Sequence, residues 1–255
     1  MMNEMSVAAQ LYTLREYLKT PDEMKHTLKR VKAAGYHAVQ ASGIGRVEAG
    51  VFRQLADEAG LKICATHISY DRLLNELDAV IQEHAVWDCH YVGLGAMPPQ
   101  YRESREGFLA FATECGEISK KIFDRGLKFI YHNHSFEFEK FGGRTGMELL
   151  LDNTDPETFG FELDTYWVQA GGGNPVEWIK KVKGRMEVVH LKDMAMKGFQ
   201  QLFAEIGEGN LNWGAIIEAC RETGVRWYAV EQDECRRDPF ESLAISFQYL
   251  EKYFQ

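Results

Sequence analysis

The stretch Gly126-Leu127-Lys128-Phe129-Ile130-Tyr131-His132-Asn133-His134 changes character twice within a few residues. Gly126 stops a long helical pattern that runs over 102–125, because a helix readily ends where a residue can take left-handed backbone. The apolar run that follows is short and rich in aromatic and branched residues, as a buried strand is. The run ends in His132 and His134, which share one face because strand side chains repeat every two residues.

The same junction recurs on either side. Gly35, Gly60 and Gly224 also close helical patterns and feed apolar runs. Working outward, strands are expected at 7–11, 38–41, 61–67, 90–94, 127–134, 159–164, 186–191 and 227–231. Helices are expected between them. The first opens at Thr20-Pro21-Asp22-Glu23, with a Thr cap, Pro at the first helical position and acids in the first turn. The others cover 46–59, 71–87, 102–125, 145–152, 175–183, 213–223 and 239–253. Eight strands alternating with eight helices predict an α/β chain folded as a (β/α)8 TIM barrel, a single domain over 1–255. A doubly wound open sheet is the alternative. It usually carries a Gly-rich first turn, and Ala9-Gln10-Leu11-Tyr12 offers none.

The chain has 255 residues, 45% hydrophobic and 26% charged, with a formal charge of −9. That balance fits a globular fold and argues against a general nucleic-acid binder, which needs a basic surface. No apolar run reaches the roughly 18 residues of a membrane helix, and Met1-Met2-Asn3-Glu4-Met5 shows no leader pattern. Cys64, Cys89, Cys115, Cys220 and Cys235 are odd in number and scattered, as in a reduced, cytoplasmic protein.

In a barrel the chemistry sits at the C-terminal ends of the strands. His67 ends the third strand, and His132 and His134 end the fifth, with Glu137 just beyond. Glu162 and Asp164 end the sixth, His190, Lys192 and Asp193 the seventh, Glu231 and Asp233 the eighth. Asp164, His190 and Glu231 come from three successive strands. Nitrogen and carboxylate ligands of this kind suit a divalent ion such as Mn, Zn, Co, Mg or Fe. A fourth ligand is expected from strand five, with Glu137, His132 and His134 as candidates. Each has a plainer role open to it: a helix or loop cap for Asp164, a core hydrogen bond for His190, a structural pair for the two histidines. Four strand ends carrying such groups together favour the metal. His26, His37, His84 and His90 read as surface or structural. Phe136, Trp167 and Trp213 are pocket walls or barrel-edge packing. Gly207-Glu208-Gly209 is a short fragment of a phosphate-loop pattern.

Tyr131-His132-Asn133-His134-Ser135-Phe136-Glu137-Phe138, Glu162-Leu163-Asp164-Thr165-Tyr166-Trp167, His190-Leu191-Lys192-Asp193 and Gly207-Glu208-Gly209 together resemble the xylose isomerase-like TIM barrels described as sugar phosphate isomerases or epimerases, in the wider group of family 2 apurinic endonucleases. The resemblance covers essentially the whole chain. It implies a divalent metal held by Glu, Asp, His and Glu on strands five to eight. Asp164, His190 and Glu231 match the last three. Strand five in register puts His132 where relatives have Glu, so Glu137 is the expected ligand, with His132 or His134 as alternatives. Gln40 stands where relatives often have Glu.

The implied function is a metal-dependent sugar isomerase or epimerase that abstracts a proton beside a carbonyl and passes through an enediolate. Glu231 and Glu137 would move the proton and Lys192 would assist. His67, His132, His134, Trp167 and Lys192 would bind substrate. A keto-sugar or inosose dehydratase uses the same site. A non-catalytic sugar-binding barrel is the alternative of a different class. An endonuclease IV-like repair enzyme needs more histidines than these strand ends supply. The expected partner is a small sugar or sugar derivative, phosphorylated or not, with no nucleic acid and no membrane; a homo-oligomer is left open.

Overall fold

A computed structural model describes residues 6–254. The stretch Met1 to Met5, read above for a leader, lies outside them. Eight parallel strands form one sheet: β1 (Ser6–Gln10), β2 (Ala38–Ala41), β3 (Lys62–His67), β4 (Tyr91–Leu94), β5 (Lys128–His132), β6 (Phe159–Glu162), β7 (Val188–Leu191) and β8 (Trp227–Val230). Their order is β6-β5-β4-β3-β2-β1-β8-β7. The two ends meet where Asp164 bridges His190, and His190 N donates to Leu163 O at 2.9 Å. The expected (β/α)8 barrel is therefore the fold.

Strands of such a barrel are covered on both faces, which is why they read as apolar runs. The outer face packs on helices, and a second apolar cluster fills the barrel itself: Ala8, Ala38, Cys64, Ala65, Tyr91, Ile130, Val188 and Ala229. Two residues further along the same strands, the same inward parity gives Gln10, Gln40, His132, His190 and Glu231. The barrel interior thus changes from oil to polar groups along its axis, towards the C-terminal mouth.

The helices follow their caps. α1 (Pro21–Ala33) starts on Thr20, whose hydroxyl accepts from Glu23 N while the Glu23 carboxylate accepts from Thr20 N, a reciprocal box of about 1 kcal/mol. α2 (Ala49–Ala59) starts later than expected because Glu48 is its cap. The helix expected over 71–87 is two, α3 (Tyr70–Asn75) and α4 (Leu77–Trp87), broken at Glu76, whose backbone leaves helical geometry. Arg72 spans the break by pairing with both Glu76 and Glu83. α5 (Arg105–Phe123) starts on Ser104, and α6 (Gly146–Asn153) on Thr145. A short helix not expected from sequence, α7 (Thr165–Ala170), precedes α8 (Pro175–Lys181). α9 (Trp213–Thr223) and α10 (Pro239–Phe254) complete the ring. A β-hairpin over Asp193–Lys197 and Gln200–Ala204 also went unforeseen.

Among the described residues no helix is long and apolar enough to cross a membrane. The five cysteines are free, four of them buried. His84 is a core residue, bonded to Thr66 at 2.8 Å and Val80 O at 2.7 Å, whereas His26, His37 and His90 are exposed.

Candidate metal centre

The ends of β5 to β8 bring His132, Asp164, His190 and Glu231 together, with one ligand atom from each lying within 4.8 Å of the others. His132 Nε2 is 3.3 Å from Asp164 Oδ2, and His190 Nδ1 is 3.2 Å from Glu231 Oε2 and 3.9 Å from Asp164 Oδ2. Ligands at about 2.0–2.2 Å from one ion stand about 3–3.5 Å apart, so the two shorter edges fit a single divalent cation and the third is longer.

The outer contacts fix which nitrogen faces inward. Gln40 Nε2 donates to Glu162 Oε1 at 2.9 Å, so the amide oxygen faces His190 Nε2, at 2.8 Å. His190 Nε2 therefore carries a proton. His132 Nδ1 donates to the Gly95 carbonyl at 3.0 Å. Both rings, when neutral, aim a lone pair at a carboxylate. Two lone pairs facing each other call for a proton or a cation between them. The site's own electrostatics agree: burial opposes charge on His190, but Glu162 and Glu231 outweigh it and push its pKa up to about 10. A histidine that binds a metal releases that proton to solvent and the ion takes its place, so the donor set fits a divalent metal.

Asp164 serves two purposes with two oxygens. Oδ1 accepts from Trp167 N at 2.9 Å and caps α7, while Oδ2 faces the cluster. Its own N donates to Asn133 Oδ1 at 3.0 Å. The two readings of Asp164 in sequence, cap and ligand, are compatible. Burial opposes charge on Asp164 and Glu231, yet Lys192 and the histidines hold both carboxyls below their ordinary range.

A second trio, His67, Glu162 and His190, lies against the first. Its atoms are already paired: His67 Nε2 meets Glu162 Oε2 at 2.6 Å, and Gln40 and His190 serve Oε1. It is a support beneath the first group. Gly93 and Gly95 make room for it, since a Cβ at either would approach within 3 Å of His67 ring atoms.

Glu137 does not join the four. It is fully buried in the turn Phe136–Phe138, and its oxygens accept from Tyr131 OH at 2.6 Å and His134 N at 2.8 Å. Burial raises its pKa to about 7. Lys192 is also fully buried, against Asp164, Glu231 and Asp233. These three carboxylates overcome the burial penalty and raise its pKa, so it stays an ammonium.

His132 and Glu231 of the four open on a cavity of about 410 Å³, lined also by Tyr12, Ser42, His67, Ile68, Ser69, Tyr70, Leu94, Gly95, Ala96, His134 and Asp233. That is room for a small ring. His134 is held neutral, burial first and then His132 and Lys192 bringing its pKa down to about 2. Its Nδ1 and the Nε1 of Trp167 are buried without a protein partner. The two rings pack with centroids 5.3 Å apart, and Phe136 stacks on His134 from another side.

Trp213 is buried, does not line the cavity, and donates to Asp193 at 2.7 Å. The backbone N–H groups of Gly207 and Gly209 also go to Asp193 Oδ2, at 2.9 and 3.1 Å. The Gly-Glu-Gly fragment therefore cradles the protein's own carboxylate. Sequence reading placed no role on Gln40, Glu162, Asn133 or Asp193. Their signal was the inward parity of the strand ends and, for Asn133 and Asp193, a position directly beside a candidate ligand or ammonium.

Comparison with known proteins gives the following. The model of the xylose isomerase-like TIM barrel family matches residues 28–253. An inosose dehydratase of Clostridium botulinum is 26% identical over 173 residues, covering 60% of this chain and 57% of that protein. An inosose dehydratase of Bacillus cereus is 27% identical over 180 residues, covering 63% and 58%. The chain thus spans less than two thirds of the length of the curated relatives it matches. Among solved structures, a sugar phosphate isomerase/epimerase from Parabacteroides distasonis superposes with a TM-score of 0.82 at 26% identity, covering 97% of this chain and 98% of that one.

Proposed function

This chain belongs to the xylose isomerase-like TIM barrel family, and from that premise we propose that it is a divalent-metal-dependent enzyme that removes the proton beside the carbonyl of an uncharged polyhydroxylated ketone and then expels a neighbouring hydroxyl as water. The observation that carries the reading is the group His132, Asp164, His190 and Glu231, of which His132 and Glu231 open on a ring-sized cavity. We take His132, not Glu137, as the strand-five ligand, because Glu137 turns both oxygens into the protein.

When bound by these four residues, a divalent ion supplies Lewis-acid polarisation of a carbonyl, which acidifies the neighbouring C–H. Glu231 lines the cavity as an ionised carboxylate and accepts that proton. The same carboxyl then returns it to the departing hydroxyl on its own face, so the carbon loses water and Glu231 is regenerated. Lys192, whose Nζ reaches both Glu231 and Asp233, contributes positive charge beside them. As a permanent ammonium it is no base. His67 and His134 line the cavity and shape the room for substrate, and Trp167 packs against His134 outside that lining.

The charge of the walls selects the substrate class. Among the lining residues there is no Lys or Arg, while Glu231 and Asp233 are acidic. Phosphate or carboxylate groups need charge-assisted donors, so a neutral keto-cyclitol or keto-sugar fits better. The inosose dehydratase likeness points the same way. Epimerisation needs a second acid–base group on the opposite face of the carbon. Glu137 was the carboxylate expected there, and it is buried. Isomerisation, which one base can serve, is the second reading, favoured by the full-length likeness to the Parabacteroides protein. Free, mostly buried cysteines fit a cytoplasmic enzyme.

The test is metal analysis of the protein, then incubation of the Mn-loaded form with inososes, ketoses and keto-glycosides in heavy water. A product one water lighter supports the dehydratase. Deuterium gained without loss of water moves the assignment to an isomerase. A metal-free protein that stays silent on metal addition overturns the reading and leaves a sugar-binding barrel.

A further inference from the structure

Lys192 follows His190 on the same inward parity and reaches into the same group. Its Nζ lies 2.9 Å from Asp164 Oδ2, 2.7 Å from Glu231 Oε2 and 2.6 Å from Asp233 Oδ2. The first two oxygens are those that face His132 Nε2 and His190 Nδ1. Asp164 has no second oxygen to offer, because Oδ1 is spent on Trp167 N. The ammonium and a divalent ion therefore draw on the same two oxygens, and two cations at that range repel. Asp233 is different. It stands outside the four-residue group, and its side chain is 25% exposed at the mouth.

We propose that Lys192 is the site's internal competing cation: its ammonium holds Asp164 and Glu231 together, and a divalent ion binds as that ammonium withdraws onto Asp233. This rests on the metal reading of the same four residues. The physical logic is that buried carboxylates without a counter-charge are strongly destabilising. A tethered ammonium lets the barrel close around them first and then sets how tightly the metal is held. Lys192 is thus a positioning and affinity-setting residue, and Asp233 is its point of retreat.

The experiment is titration of the full chain with Mn²⁺, and separately Zn²⁺, against a fluorescent chelator, for wild type, Lys192→Met and Asp233→Asn. Lys192→Met is expected to bind either ion about tenfold tighter or more, since it removes the competitor. Asp233→Asn is expected to bind severalfold more weakly, since the ammonium loses its alternative partner. In EDTA, Lys192→Met should melt below wild type, and saturating Mn²⁺ should raise its melting temperature by more than it raises that of wild type. Equal or weaker affinity in Lys192→Met overturns the proposal, because Lys192 would then be stabilising the loaded site. If Lys192→Met does not fold, Asp233→Asn decides, and unchanged or tighter binding there overturns it too. Absence of metal binding in all three proteins overturns the metal reading together with this one. Binding with unchanged affinities overturns this one alone.

Discussion

Gln40 Oε1 lies 2.8 Å from His190 Nε2, while the nitrogen of the same amide donates to Glu162 Oε1. A carboxylate only accepts, so the amide has one orientation and His190 must donate to it. The proton on Nε2 leaves Nδ1 free to face Asp164 and Glu231. Outer partners of this kind are worth about 10–100-fold in metal affinity. Gln40→Leu is therefore expected to weaken Mn²⁺ binding by about that factor, read in a chelator competition, with the circular dichroism of the barrel unchanged. Undiminished affinity would remove His190 from the ligand set.

Glu231 is the one candidate ligand carboxylate that also lines the cavity. Glu231→Gln keeps its shape and removes its basicity. Turnover, and solvent deuterium exchange into substrate, should fall by about 10²–10⁴-fold, the usual worth of a placed general base. The thermal melt should stay cooperative. Exchange at the wild-type rate would take Glu231 out of the proton path.

The barrel was legible because each of its strands is buried on both faces. Its apolar runs stop where the mouth begins, so polar residues such as His132, Asp164, His190 and Glu231 stand out at fixed parity. Glu137 was not legible in the same way. It lies beyond β5 in the turn Phe136–Phe138, where strand parity no longer says which way a side chain points. Burial in that turn gave its carboxylate to Tyr131 and to the His134 backbone. The Gly-Glu-Gly fragment, a weak signal in sequence, was open for a related reason. Glycine-rich backbone offers N–H groups to any anion, and sequence does not say that the anion is Asp193, sixteen residues before Gly209. Gln40 was visible as an oddity, but its two-sided bonding depends on side chains from β6 and β7 reaching β2 through the barrel interior.

Asp193 is buried and accepts from Met194 N, Gly207 N, Gly209 N, Leu211 N and Trp213 Nε1. It ties the end of β7 to the loop that launches α9. Asp193→Ala leaves those donors without a partner, and each such group costs about 1–3 kcal/mol. The loss of stability should be about 3 kcal/mol or more in urea unfolding. Gly209→Ala should also destabilise, because its Cβ would stand 2.3 Å from Asp193 Oδ1. A Gly209→Ala protein as stable as wild type would show that the loop is not held against Asp193.

Glu137 gives the stability its pH dependence in a defined window. Burial raises its pKa from 4.5 to about 7, against the lowering effect of the Tyr131 hydroxyl and nearby N–H groups. The folded protein therefore holds a proton that the unfolded chain has released between about pH 4.5 and 7. By linkage, the folded state binds more protons there, so its stability falls as pH rises through that window. The contribution is complete below the unfolded value and lost above the folded one, and it amounts to something on the order of 3 kcal/mol. Glu137→Gln cannot titrate. Other groups titrate equally in both proteins, so the difference between the wild-type and variant urea-unfolding curves isolates Glu137. Wild type should lose stability relative to Glu137→Gln between about pH 4.5 and pH 7, most steeply about midway through that window, and the difference should level off above it. Parallel curves would mean that Glu137 keeps its solution pKa in the fold, and that its buried carboxyl is ionised throughout.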